Sequence, residues 1–296
     1  MKKVLITGAN SYVGTSFDKY ARERYSDAMV IDTVDMIDGS WRKRDFSIYN
    51  TIFHVAGIAH ADLGNADEYT KQKYYTINTD LAIETAKKAK KSGVGQFVFM
   101  SSSIIYGDSA PYGKQKIIKG DTMPSPANFY GDSKWKADKG IQKLADDSFL
   151  VTILRPPMVY GRGSKGNYIT LAKIAKKLPF FPDIQNERSI LFIDNLCELV
   201  CQVIIRRKGG IFFPQNEIHT STTELVRMIA EVSGHKIRIS RIWNWMVYLS
   251  LHTPGKISQI ANKAFGNLTY DQSISKYEFE YRVADLRTSI ERTEGK

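Results

Sequence analysis

Val4-Leu5-Ile6 is a short aliphatic run that opens directly into Thr7-Gly8-Ala9-Asn10-Ser11-Tyr12-Val13-Gly14, and a helical pattern follows to about Tyr25. This junction constrains the fold more than any other feature of the chain. Two glycines six apart where a strand turns into a helix let a backbone come close to a diphosphate at the helix N-terminus. Ser11 stands where such turns usually carry a middle glycine. The next apolar run, Ala28 to Val34, ends at the acidic Asp35. Strand, glycine turn, helix, strand and terminal carboxylate in that order form the context that marks a dinucleotide site. Gly8, Asn10, Ser11, Tyr12, Val13 and Gly14 are therefore the candidate phosphate-binding residues, and Asp35 the candidate for the adenosine ribose hydroxyls. Asp32 is the alternative. Arg42, Lys43 and Arg44 follow and could serve a 2′-phosphate, so NAD is preferred and NADP stays open.

The alternation continues. Thr51 to Ala56, Gln96 to Met100 and Leu150 to Leu154 read as buried strands, and Tyr75 to Lys91 as a helix with Ile77, Leu81, Ala82, Thr85 and Ala89 on one side. Strands alternating with helices predict an α/β fold, a Rossmann-type doubly wound parallel sheet covered on both faces. After Gly161 the alternation fades. Asn167 to Lys177 reads as a helix, Ser189 to Ile193 as a strand, and Asp194 as the cap of a helix through Ile205. Ser221-Thr222-Thr223-Glu224 is a capping box ahead of a helix from Leu225 to Ser233. Residues 1–165 are thus expected to hold mainly the dinucleotide-binding domain. Residues 166–296 would form mainly a small mixed C-terminal substrate lobe, with room for strands that return to the sheet.

Tyr130 and Lys134 are four apart in a helix-like segment and so share one face. A neighbouring ammonium favours the phenolate. Such a pair can move a proton at a carbinol carbon while a cofactor moves hydride.

Composition narrows the partners. The net charge of +11 suits phosphate-bearing ligands. The lysine pairs Lys87-Lys88, Lys90-Lys91 and Lys176-Lys177 lie on amphipathic helices, and there is no run of five like charges, so no nucleic-acid partner is expected. Cys197 and Cys201 lack companion ligands nearby and read as small apolar side chains, with no metal site. Two thiols and no secretory signal fit a reducing cytoplasm. No apolar run is long enough to span a bilayer. Trp243 to Leu251 reads as a core helix of the small lobe, because helices apolar nearly all round are usually buried. A membrane-surface helix is the other reading, which leaves peripheral membrane contact open. Gly266 to Asp271 carries no readable mechanism.

Taken in order, the N-terminal glycine turn, Asp45-Phe46, His54-Val55-Ala56-Gly57, Asn78, Ser102 to Gly107, Tyr130 with Lys134, and Leu154-Arg155-Pro156-Pro157 to Gly161 resemble the extended short-chain dehydrogenase/reductase family, the NAD-dependent epimerase/dehydratase group acting on nucleotide sugars. The resemblance covers roughly Met1 to Leu199. It implies that Tyr130 is the acid/base and that Lys134 lowers its pKa and holds the nicotinamide ribose. It makes Ser102 the hydroxyl that orients the sugar, with Ser103 its neighbouring alternative. Asp45 would touch adenine, Phe46 and Pro157 would border the cofactor, and Ala56 and Gly57 would let it lie against the third strand. Asn167 and Arg188 would grip the substrate diphosphate, expected to be uridine-linked, an arginine fork suiting a pyrophosphate. His60 could reach the sugar or be structural. Within the group the chain is similar to bacterial 4-keto reductases and 4-epimerases of surface-polysaccharide precursors. A 4-keto reductase on a UDP-linked 6-deoxy amino sugar is the first expectation and a UDP-sugar 4-epimerase the second. A non-catalytic cofactor sensor is the remote third, and a homodimer is compatible with all of them. Ile104 and Ile105 stand where dehydratases carry a carboxylate pair, which argues against elimination of water.

Overall fold

A computed structural model describes residues 1–59, 66–253 and 255–295, with the side chains of Lys256, Gln259 and Ile260 not described. In chain order the strands are β1 (Lys2–Thr7), β2 (Met29–Val34), β3 (Thr51–His54), β4 (Gln96–Met100), β5 (Ile117–Ile118), β6 (Leu150–Leu154), β7 (Met158–Tyr160), β8 (Phe180–Pro182), β9 (Ile190–Phe192), β10 (Gly210–Phe212), β11 (Arg238–Ser240) and β12 (Thr269–Tyr270). Six of them form one parallel sheet in the order β10-β6-β4-β3-β1-β2. Chain order reverses between β1 and β3, so a crevice opens at their carboxyl ends, the place where open α/β sheets bind ligands.

Successive side chains of a strand face opposite ways, so a sheet covered on both sides is apolar at most positions on either face. Val4, Ile6, Phe53, Val98 and Leu154 join one core, while Leu5, Ile52, Phe97, Phe99, Val151 and Ile153 join the other. The helices α1 (Tyr12–Arg24), α2 (Glu68–Tyr74), α3 (Leu81–Lys91), α4 (Phe129–Gln142), α5 (Asn167–Lys177), α6 (Ile193–Ile205) and α7 (Thr222–Val232) surround the sheet. Phe17 of α1 and Leu196, Leu199 and Val203 of α6 lie in the first core. Ala82, Ala86 and Ala89 of α3 and Ala137 and Ile141 of α4 lie in the second. Near the C-terminus come α8 (Asn244–His252), α9 (Lys256–Phe265) and α10 (Leu286–Glu294). The strands outside the main sheet pair as β7 with β9, β8 with β11 and β5 with β12.

Four details differ from the sequence expectation. The helix expected over Tyr75 to Lys91 begins as a π-helical turn, Tyr75–Asp80, before α3. The third strand stops at His54, because the Val55 and Ala56 amides both donate to the Thr7 carbonyl and leave the regular ladder. Asp194 does not cap α6: Phe192 holds the extended cap position, and Asp194 sits in the first turn, paired with Arg292 at 3.3 Å. The segment from Trp243 to Leu251 is not a core helix. In α8 only Val247 is buried, while Trp245, Met246, Tyr248 and Leu249 are exposed. Its apolar pattern specified no covering element, and among the described residues none covers those side chains.

The chain's most buried ion pair joins α4 to the sheet. Arg155, just past β6, donates to both oxygens of Asp138 at 2.9 Å, and Ser101, just past β4, donates to the same carboxylate at 2.7 Å. Both partners are essentially inaccessible to solvent. Removing one partner leaves an uncompensated buried charge, so Arg155→Met is expected to cost about 3–5 kcal/mol in urea unfolding. A loss below ~1 kcal/mol would show that the pair does not hold α4.

Candidate active site

The N-terminal turn is built for close approach. Gly8 has φ +104°, a region open to glycine, and a Cβ there would come within 2.7 Å of the Ala56 amide nitrogen. A Cβ on Gly14 would meet the Ser11 hydroxyl at 2.7 Å and Val55 at 3.1 Å. Ser11 takes the helix-capping role, its hydroxyl accepting from the Gly14 amide at 3.0 Å. No acidic side chain stands in the first turn of α1, so nothing there opposes an anion at the positive end of the helix dipole. Asn10 is exposed and Tyr12 and Val13 half-buried beside this turn. These residues fit a dinucleotide diphosphate.

At the end of β2 the two candidate carboxylates part company. Asp32 accepts from the Tyr49 hydroxyl at 2.7 Å and pairs with Arg44 at 3.4 Å. Asp35 accepts from Asn10 of the glycine turn at 3.1 Å and from the Ile37 amide at 2.8 Å. Arg42 is held by both oxygens of Glu84 at 2.6 Å. Arg42 and Arg44 are thus paired elsewhere, while Lys43 is exposed. Asp45 is exposed with its carboxylate on the Ser47 amide, and Phe46 is fully buried.

The reacting end forms where α4 meets the carboxyl edge of β3 and β4. Asn128 caps α4 by accepting from Gly131, and a Cβ on Gly131 would come 2.8 Å from the Ile104 carbonyl. This tight contact seats Tyr130 beside the turn Ser103–Tyr106. The three serines entering that turn divide their work. Ser101 serves Asp138, Ser102 hydrogen-bonds Tyr130 and caps the turn, and Ser103 hydrogen-bonds the buried Tyr270. The Tyr270 hydroxyl itself donates to the Arg155 carbonyl at 2.6 Å. Pro157 is buried next to Pro156, whose carbonyl accepts from the Ser103 amide.

Lys134 is buried and donates to the Met100 carbonyl at 3.0 Å. Its ammonium lies where a Cβ on Gly57 would fall, 3.1 Å away, with the Asn78 amide oxygen at 3.0 Å from the same point. Burial lowers the Lys134 pKa to about 8, with Asp138 opposing. Burial, with Tyr74 adding to it, pushes the Tyr130 phenol up to about 12, and Ser102 pulls it down. Burial is the largest influence on the phenol, and the Lys134 ammonium turns to the Met100 carbonyl. His54, stacked between Phe97 and Phe99 with Thr7 on Nδ1 at 2.8 Å, falls to about 3 through burial and the nearby Lys134, so it is neutral.

Asn78 received no role from the sequence, yet it pins the site. It sits in the π-turn, accepts from the Ile58 amide at 2.9 Å, and donates to the Ile58 carbonyl and to Ser133. Such turns gather at functional sites. The clue available beforehand was an amide on the otherwise apolar face of a helix.

The structure does not gather all the substrate candidates. Asn167 is exposed in the first turn of α5. The Arg188 guanidinium donates to the Lys263 and Ala264 carbonyls at the end of α9 and to Ser109. His60 lies outside the described residues.

Over residues 4–212 the sequence matches the NAD dependent epimerase/dehydratase family. The chain belongs to this family. Among its relatives is a UDP-glucose 4-epimerase of Vibrio cholerae, 31% identical over 93% of this chain and 89% of that one. An N-acetyl-alpha-D-glucosaminyl-diphospho-ditrans,octacis-undecaprenol 4-epimerase of Escherichia coli O157:H7 is 25% identical over 77% of this chain and 71% of that one. In fold it resembles a crystallised dTDP-4-dehydrorhamnose reductase from Clostridium acetobutylicum, with TM-score 0.72, 16% identity and 98% coverage of both chains. The protein is an NAD-dependent enzyme of the nucleotide-sugar epimerase and reductase class. Among the described residues no helix is long and apolar enough to cross a membrane.

Two substitutions probe these assignments. Asp35→Ala should weaken NAD(H) binding about ten- to a hundredfold, the value of hydrogen bonds to a charged group, and spare NADP(H). Fluorescence titration reads this, and the same switch in Asp32→Ala instead would move the ribose site. Tyr130→Phe keeps the ring and loses the proton carrier, so turnover should fall about 10²–10⁴-fold with cofactor affinity unchanged within a few fold. Unaltered turnover would remove Tyr130 from the chemistry.

Proposed function

We propose that the protein is a 4-epimerase of nucleotide-diphosphate hexoses, with Tyr130, Ser102 and Lys134 as its catalytic residues. The observation that carries the reading is the ribose corner: Asp35 faces the glycine turn while Arg42 and Arg44 are tied to Glu84, Asp32 and Tyr49. A carboxylate there favours NAD and repels a 2′-phosphate. NAD fits a cycle that is redox-neutral overall. The Vibrio cholerae relative is named a UDP-glucose 4-epimerase and aligns over nearly the whole chain. At 16% identity the reductase neighbour speaks for the fold alone. This reverses the ranking that the sequence suggested, in which reduction came first.

In this reading Ser102 hydrogen-bonds the C4 oxygen and sets it beside the Tyr130 phenol. Tyr130 takes the C4 hydroxyl proton and later returns it to the C4 oxygen of the inverted centre. Bound NAD supplies the hydride acceptor and donor at C4. Asn78 keeps the Ile58 backbone in place, Lys134 would hold the nicotinamide ribose, and burial keeps water from the reacting carbon. Residues 166–296 supply most of the sugar-nucleotide contacts. Asn167 and Arg188 remain the proposed diphosphate contacts, and Ser103 the neighbouring alternative to Ser102 at the sugar. Dehydration is disfavoured because Ile104 and the buried Ile105 offer no carboxylate. The 4-keto reductase that the sequence put first is the second reading, since the same Ser102, Tyr130 and Lys134 would serve it.

The two differ in cofactor demand. The purified protein should release NAD on denaturation and interconvert UDP-hexoses with no cofactor added, followed by proton NMR of the anomeric signals. Consumption of one reduced cofactor per 4-keto sugar, with no interconversion, would establish the reductase instead.

A further inference from the structure

We propose that the α8–α9 hairpin is a docking element for an anionic phospholipid surface. Its outward face carries Ile242, Trp245, Met246, Tyr248, Leu249 and Ile257, all exposed, with Ile242 at 68% and Tyr248 at 62%. A soluble surface rarely gathers so many large apolar side chains in one place without a use for them. The hairpin is nonetheless firmly seated. Trp243 stacks on Phe180 with ring centres 4.2 Å apart, Asn244 donates to the Asp183 carbonyl at 2.9 Å, and Val247 is buried. The exposed side chains therefore belong to a folded helix held by its other face.

Charge selects the occupant. From Val232 to Tyr270 there is no aspartate or glutamate, while Lys236, Arg238, Arg241, Lys256 and Lys263 are basic. Lys236, Arg238, Arg241 and Lys263 are exposed around the apolar face, and Asp183, which Arg241 approaches at 3.4 Å, is the acid that faces it. Two copies of this face would bring like charges together. An anionic bilayer supplies both an apolar interior for Trp245, Tyr248 and Leu249 and negative headgroups for the rim. Aromatic side chains with a polar edge favour that boundary, and a basic, apolar-faced helix lying in it is the general form of interfacial binding.

The test uses the full chain and sedimentation with vesicles about one-third phosphatidylglycerol in phosphatidylcholine, against pure phosphatidylcholine. Binding is expected to the anionic vesicles, to fall steeply with salt, and to shift tryptophan emission to the blue, a shift lost in Trp245→Phe. Arg238→Gln and Arg241→Gln should each weaken it about fivefold. The double variant Trp245→Ser/Leu249→Ser should abolish it while keeping NAD(H) affinity, which shows that the fold survives. Failure to bind anionic vesicles at low salt, or binding indifferent to the double variant, overturns the proposal. So does a stable dimer in sedimentation equilibrium that the double variant dissolves, because a second copy would then cover this face.

Discussion

Everything at the reacting end depends on the buried carboxylate of Asp138. It lies one helical turn beyond Lys134 and two beyond Tyr130 on α4, so fixing it fixes the rotation of the helix that carries both. Arg155 holds it from the end of β6 and Ser101 from the end of β4. The third arginine nitrogen reaches the Tyr106 hydroxyl at 2.7 Å, which ties in the turn that begins at Ser102. One ionic centre thus sets helix, sheet edge and serine turn in a single register. Taking two charges out of water costs several kcal/mol per ion, and hydrophobic residues of similar size could have packed there at less expense. What the ion pair adds is direction, since its geometry tolerates little sliding, and catalytic groups lose rate when misplaced by an ångström.

The burial that isolates this centre also governs protonation nearby. Desolvation always penalises the charged form, so it acts in opposite directions on acids and bases. It holds His54 neutral, lowers Lys134 to about 8 and raises Tyr130 to about 12. Read as a sequence, Tyr130 and Lys134 look like a pair with one helping the other to ionise. In the folded protein each first answers to its own environment, and Ser102 is the neighbour that moves the phenol downward. The phenol is a proton donor by default at neutral pH, and its use as a base calls for charge brought by what binds.

The sheet was legible because a strand buried on two faces is apolar at most positions on either face, and few alternatives share that pattern. The glycine turn was legible for a related reason. Gly8 needs a positive φ, and it and Gly14 have no room for a Cβ, constraints that leave a mark in sequence. Asp35 followed from the position at which β2 had to end. The commitments of the polar side chains were not legible. Three adjacent serines look alike in a sequence, and only the arrival of Asp138, Tyr130 and Tyr270 from distant segments tells them apart. Asn78 likewise gains meaning from Ile58, which a π-turn brings to it. The α8 helix misled because an apolar pattern reports what a helix would bury and says nothing about whether anything covers it.

Arg188 shows how far the substrate side can be argued from such commitments. Its Nη1 group serves two carbonyls at the end of α9, a favourable place for a cation at the negative end of a helix dipole. One Nη2 hydrogen reaches Ser109. An arginine has five N–H donors, so among the described residues Nε and the other Nη2 hydrogen, the edge that makes a two-point fork, have no hydrogen-bond partner. Closing α9 is therefore compatible with the diphosphate contact proposed for Arg188. Backbone pairing of Ala110 with Asn267 binds α9's exit to the chain just beyond the catalytic turn, and Gly266 is packed too closely there for any Cβ. That accounts for the segment from Gly266 to Asp271, which has no evident chemistry of its own. It is the seam by which the outer hairpin, Arg188 and the serine turn are held at fixed distances.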